Sequence, residues 1–162
     1  TKDNDGNTPL QAAIRGTSSR AAQKLIAKGA NLKNLNAMNE TLLHSASASG
    51  DLEMVTLLIK KGLDVNARTK NKETPLHFAA RDNRSDTIRE LVKARSDPNA
   101  VSEDGSAPLH LAVWGGHLNA VTALVESGAM VSIRNNDGRT PADIARDENY
   151  GEIEEYLKSK KQ

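Results

Sequence analysis

The chain has 162 residues, 37% of them apolar and 2% aromatic, and its 22 basic and 21 acidic side chains leave a net charge of +1. So balanced a charge supplies no field that would gather nucleic acid or an anionic membrane, and the lack of cysteine excludes a disulfide framework, a thiolate zinc site and a catalytic thiol. No apolar run approaches the roughly 20 residues of a membrane-spanning helix, and Thr1-Lys2-Asp3-Asn4-Asp5-Gly6 lacks a signal-peptide pattern, so no membrane insertion and an intracellular, cytoplasmic location are expected.

Along the chain one phrase returns every 33 residues: Thr8-Pro9-Leu10-Gln11, Thr41-Leu42-Leu43-His44, Thr74-Pro75-Leu76-His77, Ala107-Pro108-Leu109-His110 and Thr140-Pro141-Ala142-Asp143. A unit this short cannot bury an apolar face alone, so neighbouring copies must stack and share one elongated core. In the first unit Pro9 sits just inside a helix start, where its missing N–H costs nothing, and Gly16-Thr17-Ser18-Ser19 marks the turn to a second helix.

The second unit spells the plan most fully. Thr41 caps a short helix carrying Leu42, Leu43, Ala46 and Ala48, Gly50 ends it, and a second helix runs through Leu52, Met54, Val55, Leu57, Leu58 and Ile59 to Gly62. The stretch from Leu63 to Glu73 is polar and irregular, which predicts an extended loop or β-turn. Later units keep a small residue at Ala79, Ala112 and Ala145, in register with Ala13 and Ala46, and a leucine at Leu91, Leu124 and Leu157, in register with Leu25 and Leu58. Asp5-Gly6, Asp104-Gly105 and Asp137-Gly138 mark turns that need a positive φ.

Together these residues resemble the ankyrin repeat family, with its turn, T-P-L-H-type helix start and two helices per unit. The likeness covers nearly the whole chain and is strongest in Pro108-Leu109-His110-Leu111-Ala112, Gly115-Gly116-His117-Leu118 and Gly62-Leu63-Asp64-Val65-Asn66. It implies an all-α solenoid of stacked helix-turn-helix units joined by β-turn or hairpin loops. The chain reads as one domain, 1–162, with approximate repeats 3–35, 36–68, 69–101, 102–134 and 135–162, the last a C-terminal cap. The first unit reads as an N-terminal cap or as an ordinary repeat whose upstream neighbour was cut away. In the third unit Asn83-Arg84 and Arg95-Ser96-Asp97 depart from the glycine-containing family pattern, and a weak junction is expected there.

No catalytic constellation emerges: there is no nucleophile elbow, phosphate loop or H-E-x-x-H, so no enzyme, cofactor or metal is expected. Asp3-Asn4-Asp5-Gly6 resembles half a calcium loop, but Ala12 stands where the distal acid is required. His44, His77 and His110 share one register position. Stacked helices lie about 8–10 Å apart, too far for a zinc ion with bonds near 2.1 Å to bridge them. They read as hydrogen bonds that fasten unit to unit, and His117 as a turn residue. Lys158-Ser159-Lys160-Lys161 reads as a solvated end.

What remains is a surface. In the family, turn tips and first helices form the concave face that engages partners. Here that face would carry Met38, Glu40, Ala48, Ser49, Lys70, Asn71, Glu73, Arg81, Asp82, Glu103, Ser106, Trp114, Asn136 and Arg139. Trp114, the only tryptophan, aligns with Arg15, Ala48, Arg81 and Asp147, which points to the surface and to a hot-spot residue type. The alternating charges favour a protein or peptide over a polyanion. The expected function is a monomeric, non-catalytic protein-interaction module. The alternative is a regulatory or targeting segment of a larger enzyme, channel or effector, which the lack of an initiator methionine allows.

Overall fold

A computed structural model describes residues 2–16 and 18–160. Thr17 of the first inter-helix turn and Lys161 of the C-terminal lysine run lie outside the described residues. The described residues form ten α-helices in five successive pairs: α1 (Pro9–Arg15) with α2 (Ser19–Ala27), α3 (Leu42–Ser49) with α4 (Leu52–Lys60), α5 (Pro75–Arg81) with α6 (Ser85–Lys93), α7 (Pro108–Trp114) with α8 (Leu118–Glu126), and α9 (Pro141–Asp147) with α10 (Gly151–Ser159). The first helices of the pairs stack on one another as an inner layer, and α4, α6, α8 and α10 stack as an outer one. None of these helices is long and apolar enough to cross a membrane.

Local chemistry sets both ends of each unit. Thr8, Thr41, Thr74 and Thr140 hold the extended backbone of an N-cap, and Pro9, Pro75, Pro108 and Pro141 follow at the first helical position. The chain then reverses at left-handed residues that keep the repeat register. At the tips they are Gly6, Asn39, Lys72, Gly105 and Gly138, and between helices Gly50, Asn83, Gly116 and Asn149. After the outer helix they are Gly29, Gly62, Arg95 and Gly128. Asn tolerates this conformation through its short polar side chain, whereas Lys72 (φ 61°) and Arg95 (φ 72°) hold it against their Cβ atoms.

The third unit is better secured than its missing glycines suggest. Arg84 Nε donates to Ala48 O at 2.9 Å, as His117 Nε2 donates to Arg81 O at 3.0 Å one unit later. The Arg84 side chain lies so close over Gly50 that a Cβ there would meet its Cδ at 2.6 Å, so a side chain at this position would have to displace Arg84 from the Ala48 carbonyl. Around Arg95, Asn66 Nδ2 donates to the Arg95 carbonyl at 3.2 Å and Asn66 Oδ1 accepts from Asp97 N–H at 2.9 Å. Strain at this junction is therefore concentrated in the Arg95 backbone rather than spread through Arg84 to Asp97.

The core runs the length of the stack. Ala46, Ala79, Ala112 and Ala145 on the inner helices are fully buried, as are Leu58, Leu91, Leu124 and Leu157 on the outer ones. Leu25 holds the same register position yet is only half-buried, with no unit among the described residues on its far side.

Truncating Leu91 to Ala is expected to cost about 2–5 kcal/mol in urea unfolding, and a loss below about 1 kcal/mol would contradict a shared, close-packed core. Arg95→Gly is expected to raise stability by up to about 1 kcal/mol, the relief of left-handed strain less the greater freedom of an unfolded glycine. A neutral or destabilising result in the same assay would place the strain elsewhere.

Candidate functional site

The tips are aligned by a side chain at the third position of each inner helix. In the second and third units Thr41 and Thr74 N–H donate to Nδ1 of His44 and His77 at 3.1 and 3.0 Å. Ala107 N–H donates to His110 Nδ1 at 3.0 Å, although Ala107 lacks the hydroxyl of the other caps. With Nδ1 accepting, the proton resides on Nε2, which reaches the next unit: His44 to Glu73 O at 3.2 Å, His77 to Ser106 O at 3.0 Å and His110 to Arg139 O at 3.1 Å. Gln11 does the same work with an amide, accepting from Thr8 N–H at 3.0 Å and donating to Glu40 O at 3.2 Å. Asp143 keeps only the accepting half. It takes Thr140 N–H at 2.9 Å, and those bonds hold its carboxyl down to about 2.

Burial drives His44 and His77 down to about 4 and moves His110 in the same direction. A protonated ring would also present N–H to the cap N–H it now accepts from. Backbone bonds complete the alignment: Ala37 N–H donates to Asp5 O, Lys70 to Met38 O, Glu103 to Asn71 O and Asn136 to Asp104 O, all at 2.9–3.0 Å. The five tips thus form one continuous row.

Charges on this row pair locally. Arg15 bonds to Glu40, Arg81 to Glu73 at 2.6 Å, and Arg139 to Asp137 at 3.4 Å and to Asp147 at 3.9 Å. Two arginines also lie over aromatic rings, Arg81 at 4.9 Å from the Phe78 centroid and Arg139 at 5.8 Å from that of Trp114. Trp114 is half-buried against the core, with the His110 ring 6.2 Å away. Between the third and fourth tips a notch of about 370 Å³ is lined by Asn71, Glu73, Ser102, Glu103, Asp104 and Leu111. Burial raises the Glu73 carboxyl above the usual carboxylate range. Burial also opposes charge on Asp104, but hydrogen bonds from Ser102 and Ser106 outweigh it and keep that carboxyl below its ordinary value.

Of the residues the sequence nominates, Met38, Lys70, Asn71, Arg81, Asp82, Glu103 and Asn136 are exposed, and Glu40, Ala48, Ser49, Glu73, Trp114 and Arg139 are half-buried. Ser106 is a correction. It is fully buried, its hydroxyl donating to Asp104 Oδ2 at 3.1 Å, and it braces the tip from within instead of facing outward. The sequence reading missed Asp104 and Leu111. Leu111 aligns with Ala12, Ser45, Phe78 and Ile144, a position whose varied size marks the floor between tips and helices. His117 is more than a turn residue, because its ring closes onto the preceding unit.

The profile of a known family, described as ankyrin repeats (three copies), matches residues 1–69 and 76–162. The chain belongs to the ankyrin-repeat family. A search of curated proteins finds no match. Within this ankyrin-repeat stack the histidine bonds are a pH-dependent part of stability. Their lowered pKa means that the unfolded chain binds protons the folded chain refuses. Their stabilisation is therefore complete above pH about 6.5 and is lost as pH falls towards about 4.

In that window His44 and His77 should each contribute a slope of about 1.4 kcal/mol per pH unit. Replacing His44, His77 and His110 by Gln, which Gln11 shows to be compatible with the geometry, should flatten the slope between pH 6.5 and 4 in urea titrations. An unchanged slope would mean that the imidazoles do not titrate in this way.

Proposed function

We propose that this ankyrin-repeat stack is a non-catalytic, monomeric module that recognises a protein or peptide through its turn tips and inner helices. Ankyrin repeats are in general protein-interaction modules, which makes a protein partner the starting point. The observation that carries the finer reading is the continuous row of tips itself. It sets exposed Met38, Lys70, Asn71, Glu103 and Asn136 beside the Arg81–Glu73 pair and the Arg139–Trp114 stack on a backbone hydrogen-bonded from unit to unit. A surface held in place before binding loses little conformational freedom on contact. The arginines of its charge pairs keep part of their surface in water while Glu40 and Glu73 are half-buried, so a partner's ions can reach the pairs from the arginine side. Leu111 and Trp114 supply apolar area between the charges, and mixed signs favour a polypeptide over a polyanion.

Affinity capture from the source cell identifies the partner, after which titration calorimetry compares tip variants with a control on α2. Met38→Ala with Arg81→Ala should weaken binding by about 2 kcal/mol or more if they belong to a hot spot, and Arg20→Ala should leave it unchanged. Equal affinity for the tip variants and the control would remove this face from the site.

A further inference from the structure

Along the loops that follow the outer helices, successive units are laced together by an asparagine side chain. Asn66 Nδ2 donates to Arg95 O at 3.2 Å, and Asn66 Oδ1 accepts from Asp97 N–H at 2.9 Å. One unit later Asn99 makes the same pair of bonds, to Gly128 O at 3.3 Å and from Met130 N–H at 2.7 Å. At the junction of the first and second units this register position holds Lys33, which has no carboxamide. Gly62 O and Asp64 N–H, the counterparts of the two laced backbone groups, have no partner among the described residues.

The packing opens at the same place. A groove of about 460 Å³ lies between the loop after α2 and the loop after α4, with Leu32, Lys33, Lys61 and Leu63 among its walls. Leu63 is half-buried there, whereas Ser96 and Ala129, its equivalents at the laced junctions, are buried. Lys33 and Lys61 are exposed and pair with no carboxylate among the described residues. Both walls belong to units that already face each other, so a further repeat stacked on either end of the array leaves the groove open. Its lining shares no residue with the tip surface.

We propose that this groove binds an Asn or Gln side chain of an extended segment in a partner polypeptide, with an apolar neighbour against Leu32 and Leu63 and an acidic one facing Lys33 and Lys61. A carboxamide carries a donor and an acceptor on one planar group, which Gly62 O and Asp64 N–H require together. A carboxylate only accepts, and a guanidinium or ammonium only donates. The walls extend well past the two backbone groups, and a polypeptide fills them with the residues on either side of the amide.

Nuclear magnetic resonance on isotope-labelled protein tests this with the acetylated, amidated peptide Asp-Val-Asn-Ala, a copy of residues 64–67. The amides of Leu63 and Asp64 should shift saturably with millimolar affinity. The same peptide with leucine in place of asparagine keeps the size but not the bonds, and should bind at least about tenfold more weakly. Lys33→Asn supplies the bridge from within the chain. It should move the Asp64 amide towards its peptide-saturated position and weaken peptide binding by at least about tenfold. Unmoved Leu63 and Asp64 amides, equal binding of the leucine peptide, or undiminished binding to a folded Lys33→Asn variant would each overturn the proposal. If that variant fails to fold, the two peptides on the parent protein decide the matter alone.

Discussion

One hydrogen-bonded side chain per unit holds this protein in register. His44, His77 and His110 each accept from the cap of their own helix and donate to a carbonyl at the base of the next tip. The two bonds require a neutral ring with its proton on Nε2, and burial enforces the neutral form by making charge expensive. The same requirement explains Gln11. An amide places an acceptor and a donor at two ends of one planar group, as the imidazole does, so it can stand in for the ring. A helix cap thereby becomes a joint between units.

The joint connects stability to recognition. Each bonded carbonyl belongs to the base of a tip, and the tips are in turn tied to one another through their backbones. Exposed tip side chains such as Met38, Lys70 and Glu103 are consequently free to vary without loosening the row, whereas Asn36, Asp104 and Asn135 brace their tips by hydrogen bonds. The repeated geometry and the variable surface occupy the same few residues: the backbone of Glu73 accepts from His44 while its half-buried carboxylate pairs with Arg81. Binding specificity can be written on such a surface because the main chain and the buried Gln11, His44, His77 and His110, not the exposed tip side chains, carry the alignment.

Most of the architecture is legible in the sequence because local backbone demands dictate it. Proline at the first helical position, threonine before it and glycine or asparagine at reversals all follow from chain geometry, and they recur with the period. What the sequence concealed depends on neighbours. Leu25 is chemically identical to Leu58 and Leu91 but has no covering unit among the described residues, so identity does not reveal burial. Ser106 aligns with Glu40, Glu73 and Arg139, which points to the surface, yet its small hydroxyl turns inward onto Asp104 where those longer side chains reach out. Arg84 departs from the repeat pattern at a junction expected to be weak, but its length lets Nε reach Ala48 O, the counterpart of the carbonyl that His117 reaches in the next unit.

The most direct test of the joint is the protonation state of the rings. Long-range proton–nitrogen correlation spectra at pH 7 report which imidazole nitrogen carries hydrogen. His44, His77 and His110 should all appear as neutral rings with hydrogen on Nε2 and a bare, hydrogen-bonded Nδ1. Rings protonated on both nitrogens, or neutral rings with hydrogen on Nδ1, would contradict the account, because neither can accept from its own helix cap.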